Sequence, residues 1–174
     1  VDPAALAADF IDPEKGVETA EDALQGANDI IAEAISDDAS VRKALRELYF
    51  RRGMLVSRAA EKDPDDSVYR LYYDFSSPVS RIQGHQVLAI NRGEREGILK
   101  AGVELDGEMA KVALRRQVVP GRAAMEFVRS AADDAWDRLL EPSLEREIRN
   151  ALTEEADEGA IHNFALNLKP LLMQ

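Results

Sequence analysis

Basic side chains are the residues of this chain whose type and spacing best suit a chemical task. Five of them fall within eleven positions, opposed there only by Glu47, and two more follow a later apolar run. Clustered guanidinium and ammonium groups are what proteins use to bind phosphates. The sequence therefore predicts a local surface for a polyanion, and the candidate residues are Arg42, Lys43, Arg46, Arg51, Arg52, Arg92 and Arg95.

Charge is distributed unevenly along the chain. The formal net charge of −11 argues against a dominant nucleic-acid surface. Residues 1–41 hold eleven acids and one base, residues 42–100 hold twelve bases and eight acids, and residues 101–174 hold fourteen acids and nine bases. Two interpretations stay open: opposite charges pair within a helical bundle, or the basic middle segment binds a polyanion.

Patterns typical of catalytic and metal sites are missing from the sequence. His85 and His162 stand far apart, each without a second ligand at helical spacing, so we expect structural roles for both. No glycine-rich loop is followed by Lys and Ser or Thr, and the chain has no cysteine for a thiolate metal site. We therefore expect no enzyme activity, no cofactor, no metal and no small-molecule substrate.

Four aromatic residues fall within seven positions, at Tyr69, Tyr72, Tyr73 and Phe75. Beside Arg70, such rings could stack on unpaired bases of a nucleic acid. Aromatic clusters more often anchor a loop to a core, and this is the interpretation that their burial habits favour.

Helical periodicity dominates the segments that must position these side chains. It predicts helices over about 3–11, 19–35, 39–52, from Pro78 or Gln83 to Arg92 (with Gly93 as the terminator), 106–118, 122–140 and from 142 onward. The stretch 54–60 fits either a strand or a helix, and 98–105 has strand character; as a strand, 54–59 suits a small antiparallel pair with 98–105. The predicted fold class is mainly α, an irregular multi-helix domain with one such β pair. We expect a single domain over 1–174, helical in 1–60 and 122–174 and mixed in 61–121.

Three long stretches, taken in order, resemble the Tex family of bacterial transcription accessory proteins. The first is residues 23–38, ALQGANDIIAEAISDD. The second is YYDF at 72–75 followed by GHQVLAINRGEREGILK at 84–100. The third is DRLLEPSLEREIRNALTEEA at 137–156, continuing into residues 160–174. Members of the family usually read His-Arg where this chain has His85-Gln86, so any phosphate contact by that arginine is absent here.

The resemblance implies a fragment of a larger multidomain protein. The fragment corresponds to the N-terminal-to-central helical region, after a helix-turn-helix region and before an RNase H-like domain. In the family, nucleic acid is bound chiefly by a C-terminal OB-fold domain, with helix-hairpin-helix elements nearby. This implies a helical scaffold in a transcription protein that binds RNA, and DNA as a further candidate, through its full length. RNA polymerase is a candidate partner.

A second function stays open, in which the fragment is a protein-interaction module. It would dock on RNA polymerase or on neighbouring domains without touching nucleic acid. The acidic flanks favour this alternative, including Glu154, Glu155, Asp157 and Glu158. No apolar run approaches the roughly 20 residues of a membrane span, and the absence of cysteine fits a reducing compartment. We therefore expect no membrane partner and a cytoplasmic location.

Overall fold

The structure, a computed structural model, describes residues 20–118 and 125–172. These residues form two compact units: one holds residues up to Glu47 together with Asp106–Leu144, and the other holds Leu48–Leu105 and residues from Glu145 on. The helix predicted over 3–11 and the first residues of the helix predicted over 122–140 lie outside the described residues. No helix within the described ranges is long and apolar enough to cross a membrane.

Helices make up most of the described structure, which confirms the mainly α fold class. The elements in chain order are α1 (Ala20–Asp37), α2 (Ala39–Arg52), β1 (Met54–Ala59), β2 (Asp74–Pro78), α3 (Gly84–Arg95), β3 (Leu99–Glu104), α4 (Gly107–Val118), α5 (Met125–Ala135) and α6 (Glu141–Leu172). A short 3-10 turn spans Arg70–Tyr72, and a π-helical segment spans Trp136–Leu140. The predicted single-domain organisation of 1–174 stays a prediction.

The first unit is a helical bundle in which α1 packs on α5 and α5 packs on α4. Alanines fill the contact between α1 and α5: Ala32, Ala131 and Ala135 are fully buried. Small side chains let the helix axes approach closely. Asp106 caps α4, as predicted, because its Oδ1 accepts the backbone N–H groups of Glu108 (2.9 Å) and Met109 (3.3 Å).

A π-helical segment joins α5 to α6. The backbone N–H of Glu141 donates to the carbonyl of Trp136, five residues back. Proline lacks an N–H and crowds the carbonyl four residues before it. The wider π turn just before Pro142 accommodates that residue in the first turn of α6, where the sequence predicts it.

The second unit contains a three-stranded antiparallel sheet in the order β2-β1-β3. The predicted pair of 54–59 with 98–105 is confirmed, in the register Leu55↔Val103. Strand β2 was not predicted, because its sequence DFSSP is short and lacks apolar alternation. Its backbone pairing with β1 holds these residues in a strand, which their own sequence does not predict.

Helix α3 continues past Gly93, the glycine predicted to end it, as far as Arg95. Gly93 lies inside the helix and is buried against Leu99. A Cβ there would come within 2.7 Å of Leu99 Cγ, so the position has no room for a side chain. The residue that terminates the helix is instead Gly97, which lies just past the C-cap Glu96 and has a φ of 75°, in the left-handed region. The N–H of Ile98 bonds the carbonyl of Gly93 (2.9 Å), and the N–H of Gly97 bonds that of Glu94 (3.0 Å), which is a Schellman motif.

The start of α3 agrees with the second of the two predicted starts, Gln83, rather than with Pro78. Residues after Pro78 form a turn, since the N–H groups of Arg81 and Ile82 both donate to the Pro78 carbonyl at 3.0 Å. The helix begins after Gln83, whose backbone N–H donates to Gln86 Oε1 at 3.0 Å in a capping box. Gln86, the departure from the usual His-Arg pattern, therefore has a local structural role here.

Candidate nucleic-acid interface

Three of the predicted basic residues belong to the first unit, on α2. Arg42 is half-buried: its Nε donates to the carbonyl of Ser36 (2.7 Å), and its Nη2 donates to Ser143 Oγ (3.0 Å). Arg46 is half-buried and takes part in an interaction within the chain. Lys43 is exposed. The guanidinium of Arg42 therefore holds the fold together, and Lys43 is the predicted cation here whose side chain faces solvent.

Arg51 and Arg52 lie in the second unit, in the last turn of α2, and both are exposed. Cations at a helix C-terminus stabilise the helix through its dipole, so their position alone does not require a ligand. Consecutive residues of a helix point about 100° apart. The two guanidinium groups therefore cover a wide arc of solvent rather than one narrow stripe.

A third arginine, Arg81, lies near this end of the sheet, although the sequence did not single it out. The N–H of Val79 donates to the carbonyl of Gly53 at 2.9 Å, which brings the residue after Arg52 beside the residue two before Arg81. Standard backbone spacings then hold the Arg52 and Arg81 Cα atoms within about 17 Å. Arg81 is exposed. We call Arg51, Arg52 and Arg81 the arginine cluster.

Charges around the arginine cluster are sparse. None of its three side chains has an ion pair with another residue in the part of the chain that the structure describes. Two acids lie nearby: Glu47, one helical turn before Arg51 on α2, and Glu104, opposite Met54 on β3 at the same end of the sheet. The cluster is therefore a local excess of positive charge in a chain that is acidic overall.

The remaining predicted pair, Arg92 and Arg95, is exposed in the last turn of α3. Both lie close enough to Tyr69 to act on its hydroxyl electrostatically. Burial raises the pKa of Tyr69, its hydrogen bond with Glu96 and that carboxylate's charge raise it further, and the two arginines lower it. These arginines therefore flank a buried tyrosine, at a helix end where cations are also favoured by the dipole.

The aromatic cluster anchors its loop, as the favoured interpretation predicts. Tyr69 is only 4% exposed, and the Tyr72 and Phe75 rings meet edge to face with centroids 5.2 Å apart. The Tyr73 hydroxyl donates to the Asp65 carbonyl at 2.5 Å and lies 2.7 Å from Ser67 Oγ. Because Tyr69 is buried and the other rings are half-buried, they are poorly placed to stack on bases.

The outer face of the sheet carries two cations that the sequence did not single out. Arg58 on β1 is directly opposite Lys100 on β3, and Asp74 of β2 flanks Arg58 on its other side. All three are exposed. Like charges opposite one another disfavour strand pairing, and the neighbouring carboxylate offsets part of that repulsion.

Acid–base pairing within the chain accounts for many of the other charges, as the first of the two charge interpretations predicts. In the first unit, Arg115 forms two hydrogen bonds with Asp133, at 3.0 and 2.6 Å. In the second, Arg149 pairs with Glu94 and also donates to Asn91 Oδ1 at 2.8 Å.

In the second unit, the hydrogen bonds of Glu145 and Arg149 differ from the pairing that their spacing on α6 favours. Glu145 and Arg149 have the spacing of a favourable helical pair, but each is engaged elsewhere. Glu145 Oε1 accepts the backbone N–H of Val103 at 3.0 Å, so that it covers the outward edge of β3. Glu145 and Arg149 are therefore engaged by partners on β3 and α3 rather than by each other.

Metal ligands are not assembled in the described part of the chain, where no group of three or more His, Asp or Glu side chains converges. His85 is exposed at the start of α3.

The family model described as Tex central region-like matches residues 1–164. The chain belongs to this family. The match covers most of the chain, and the stretch from Gly84 to Lys100, which carries the resemblance, forms α3, its Schellman end and the start of β3. The Tex resemblance seen in the sequence is confirmed.

Three relatives show how much of a longer protein this Tex region represents. The chain is 43% identical to the uncharacterized protein YdcI of Bacillus subtilis, covering 98% of the chain and 24% of that protein. It is 31% identical to the S1 RNA-binding domain-containing protein 1 of Pongo abelii, covering 94% of the chain and 18% of that protein. It is 29% identical to the transcriptional accessory protein Tex of Neisseria gonorrhoeae, covering 91% of the chain and 22% of that protein. The chain spans about a quarter or less of these relatives.

Proposed function

We propose that this chain is a non-enzymatic helical scaffold of a transcription accessory protein, and that its arginine cluster makes an auxiliary contact with the phosphate backbone of RNA. Membership of the Tex central region-like family is the observation that carries the transcription role. The names of two relatives, a transcriptional accessory protein and an S1 RNA-binding domain protein, support it. The full-length protein would bind nucleic acid in the cytoplasm, with this region organising its RNA-binding domains.

The contact with RNA is supported by exposure and charge. Arg51, Arg52 and Arg81 are exposed and have no ion-pair partner among the described residues. Arginine guanidinium groups bind phosphate oxygens with two parallel hydrogen bonds, whatever the base sequence. Their spread along one end of the sheet suits successive phosphates better than a single small anion.

The test is binding of a fluorescently labelled single-stranded RNA to the 174-residue chain across a salt series. Replacing all three arginines of the cluster by glutamine should weaken binding and lower the slope of log affinity against log salt by about 2, since each released phosphate contact contributes about 0.7. Arg146→Gln is the matched control, because Arg146 is an exposed arginine on α6. An unchanged salt slope in the triple variant would overturn the contact.

A second candidate function is docking on RNA polymerase without nucleic-acid contact. It is favoured by four exposed acids on α6, Glu154, Glu155, Asp157 and Glu158. Retention of purified RNA polymerase by the immobilised chain, unaffected by nuclease and lost when these four acids are replaced by their amides, would support this function over RNA binding.

A further inference from the structure

The second unit has a groove of about 480 Å³ between the start of α3 and the middle of α6. Its floor is apolar and includes Val87 and Leu88 of α3 and Leu152 and Ala156 of α6. Of these four, Leu88 is half-buried, whereas Val87, Leu152 and Ala156 are buried. This volume falls in the range of pockets that bind small ligands. The groove is therefore large enough to receive a few apolar side chains from another molecule.

The part of α6 that lines the groove has a regular helical spacing. Its lining residues are Leu152, Glu155, Ala156 and Gly159, at positions i, i+3, i+4 and i+7. These positions form one stripe along a helix. A Cβ added at Gly159 would meet no atom within 4 Å. This end of the groove is therefore open, and a helix of a partner could approach α6 closely there.

Negative charge borders the same stripe. Glu155 lines the groove, and Glu158, three residues on, lies on the same side of the helix. Both are exposed, and neither forms an ion pair with another described residue. On the α3 side the rim is formed by Gln83 and His85 rather than by a second acidic run.

We infer that this groove docks an amphipathic helix of a partner protein, with its apolar stripe against Leu88 and its lysines or arginines beside Glu155 and Glu158. Apolar anchors at i, i+3, i+4 and i+7 are the form in which helices fill such grooves. The acidic border selects a basic flank, because an acidic helix would meet unfavourable charge. This inference is independent of the RNA contact, which concerns the arginine cluster.

The test uses a fluorescein-labelled model peptide of about 18 residues, long enough to form a helix when bound. It carries leucines in an i, i+3, i+4, i+7 stripe with flanking lysines, and a second peptide has glutamates in place of the lysines. Anisotropy titrations with the 174-residue chain should show binding of the lysine peptide and much weaker binding of the glutamate peptide.

Two variants of the chain locate the binding site. Gly159→Leu places a side chain in the open end of the groove, and Glu155→Lys reverses the charge at its border. Each should weaken binding of the lysine peptide by about tenfold. Matched controls are Gly26→Leu, at another helical glycine with open space around it, and Glu154→Lys, at the exposed acid next to Glu155 that does not line the groove.

Each outcome bears directly on the inference. Loss of binding in both groove variants, with both controls unchanged and the helical circular-dichroism spectrum retained, supports it. Equal binding by all variants, or equal binding of the two peptides, overturns it. A dimer seen by sedimentation that Gly159→Leu dissociates also overturns it, because the occupant would then be a second copy of this chain.

Discussion

At the scale of single residues, the partner of a charge decides its role. Arg42, Arg115 and Arg149 are all arginines of helices, but their side chains bond neighbours within their own unit. Arg51 and Arg52 have the same chemistry and face solvent. The cations available to a polyanion are therefore fewer than the sequence contains, and they are concentrated where internal acids are scarce.

Arg149 is expected to stabilise the second unit. Its side chain is only 16% exposed and joins Glu94 and Asn91 to α6. Replacing it by alanine removes the partner of a carboxylate that is itself mostly covered, so we expect Arg149→Ala to lower the free energy of unfolding by about 1–3 kcal/mol. Urea denaturation measures this. The exposed Arg146→Ala should change stability by less than about 0.5 kcal/mol, and equal effects of the two variants would contradict the assigned role.

Asp134 links the stability of the first unit to pH. Two hydrogen bonds from Arg138, at 2.8 and 2.6 Å, are the main cause that lowers the pKa of Asp134, and a bond from Asn28 at 3.1 Å adds to it against the opposing effect of burial. A carboxylate with a lowered pKa stabilises the fold above its unfolded value, about 3.9, and this stabilisation is lost as the pH falls through the folded pKa.

Asp134→Asn should therefore be less stable than the wild type at neutral pH, and the difference should shrink below about pH 4. Urea denaturation at a series of pH values measures the two free energies. A difference that stays constant into the acid range would show that the carboxylate charge is not what stabilises this site.

At the scale of elements, glycines decide how α3 meets the sheet. Gly93 lies against Leu99, and Gly97 reverses the chain between α3 and β3. The sequence predicts Gly93 as the terminator of α3, whereas Gly97 is the residue that ends it. Both glycines fit a helix terminator when read locally, and only the approach of Leu99 separates their roles.

The two glycines of α3 and its turn are therefore expected to resist substitution. Gly93→Ala forces a shift of the buried Leu99 and should cost about 1–3 kcal/mol of stability. Gly97→Ala meets no atom but must adopt a positive φ, at a cost of about 1–2 kcal/mol. Gly26→Ala, inside α1 with open space, should instead stabilise the chain by up to about 1 kcal/mol. Thermal and urea denaturation of the three variants would reveal any departure from this order.

At the scale of the whole molecule, the net charge of −11 conceals local differences. The acids of α6 border an apolar groove, whereas the arginine cluster lies at one end of the sheet in the same unit. The whole chain should repel a polyanion at long range, so RNA contacts at the cluster depend on short-range pairing of guanidinium groups with phosphates. The proposed RNA contact and the proposed helix-binding groove thus use opposite charges and are separable by variants.

The sequence by itself determined the features that depend on neighbours along the chain. The helical periodicity of α2, the capping of α4 by Asp106 and the placement of Pro142 in the first turn of α6 follow from local patterns. The pairing of 54–59 with 98–105 and the resemblance to the Tex family were also predicted from the sequence alone.

Only the tertiary structure decided the features that join distant segments. Strand β2 depends on hydrogen bonds to β1, Arg81 reaches the arginine cluster through the bond between Val79 and Gly53, and Arg149 finds Glu94 instead of Glu145. Each of these contacts links residues from separate elements. Local propensity carries no information about which elements pack together, and the packing therefore determines which charges are neutralised and which remain available to a partner.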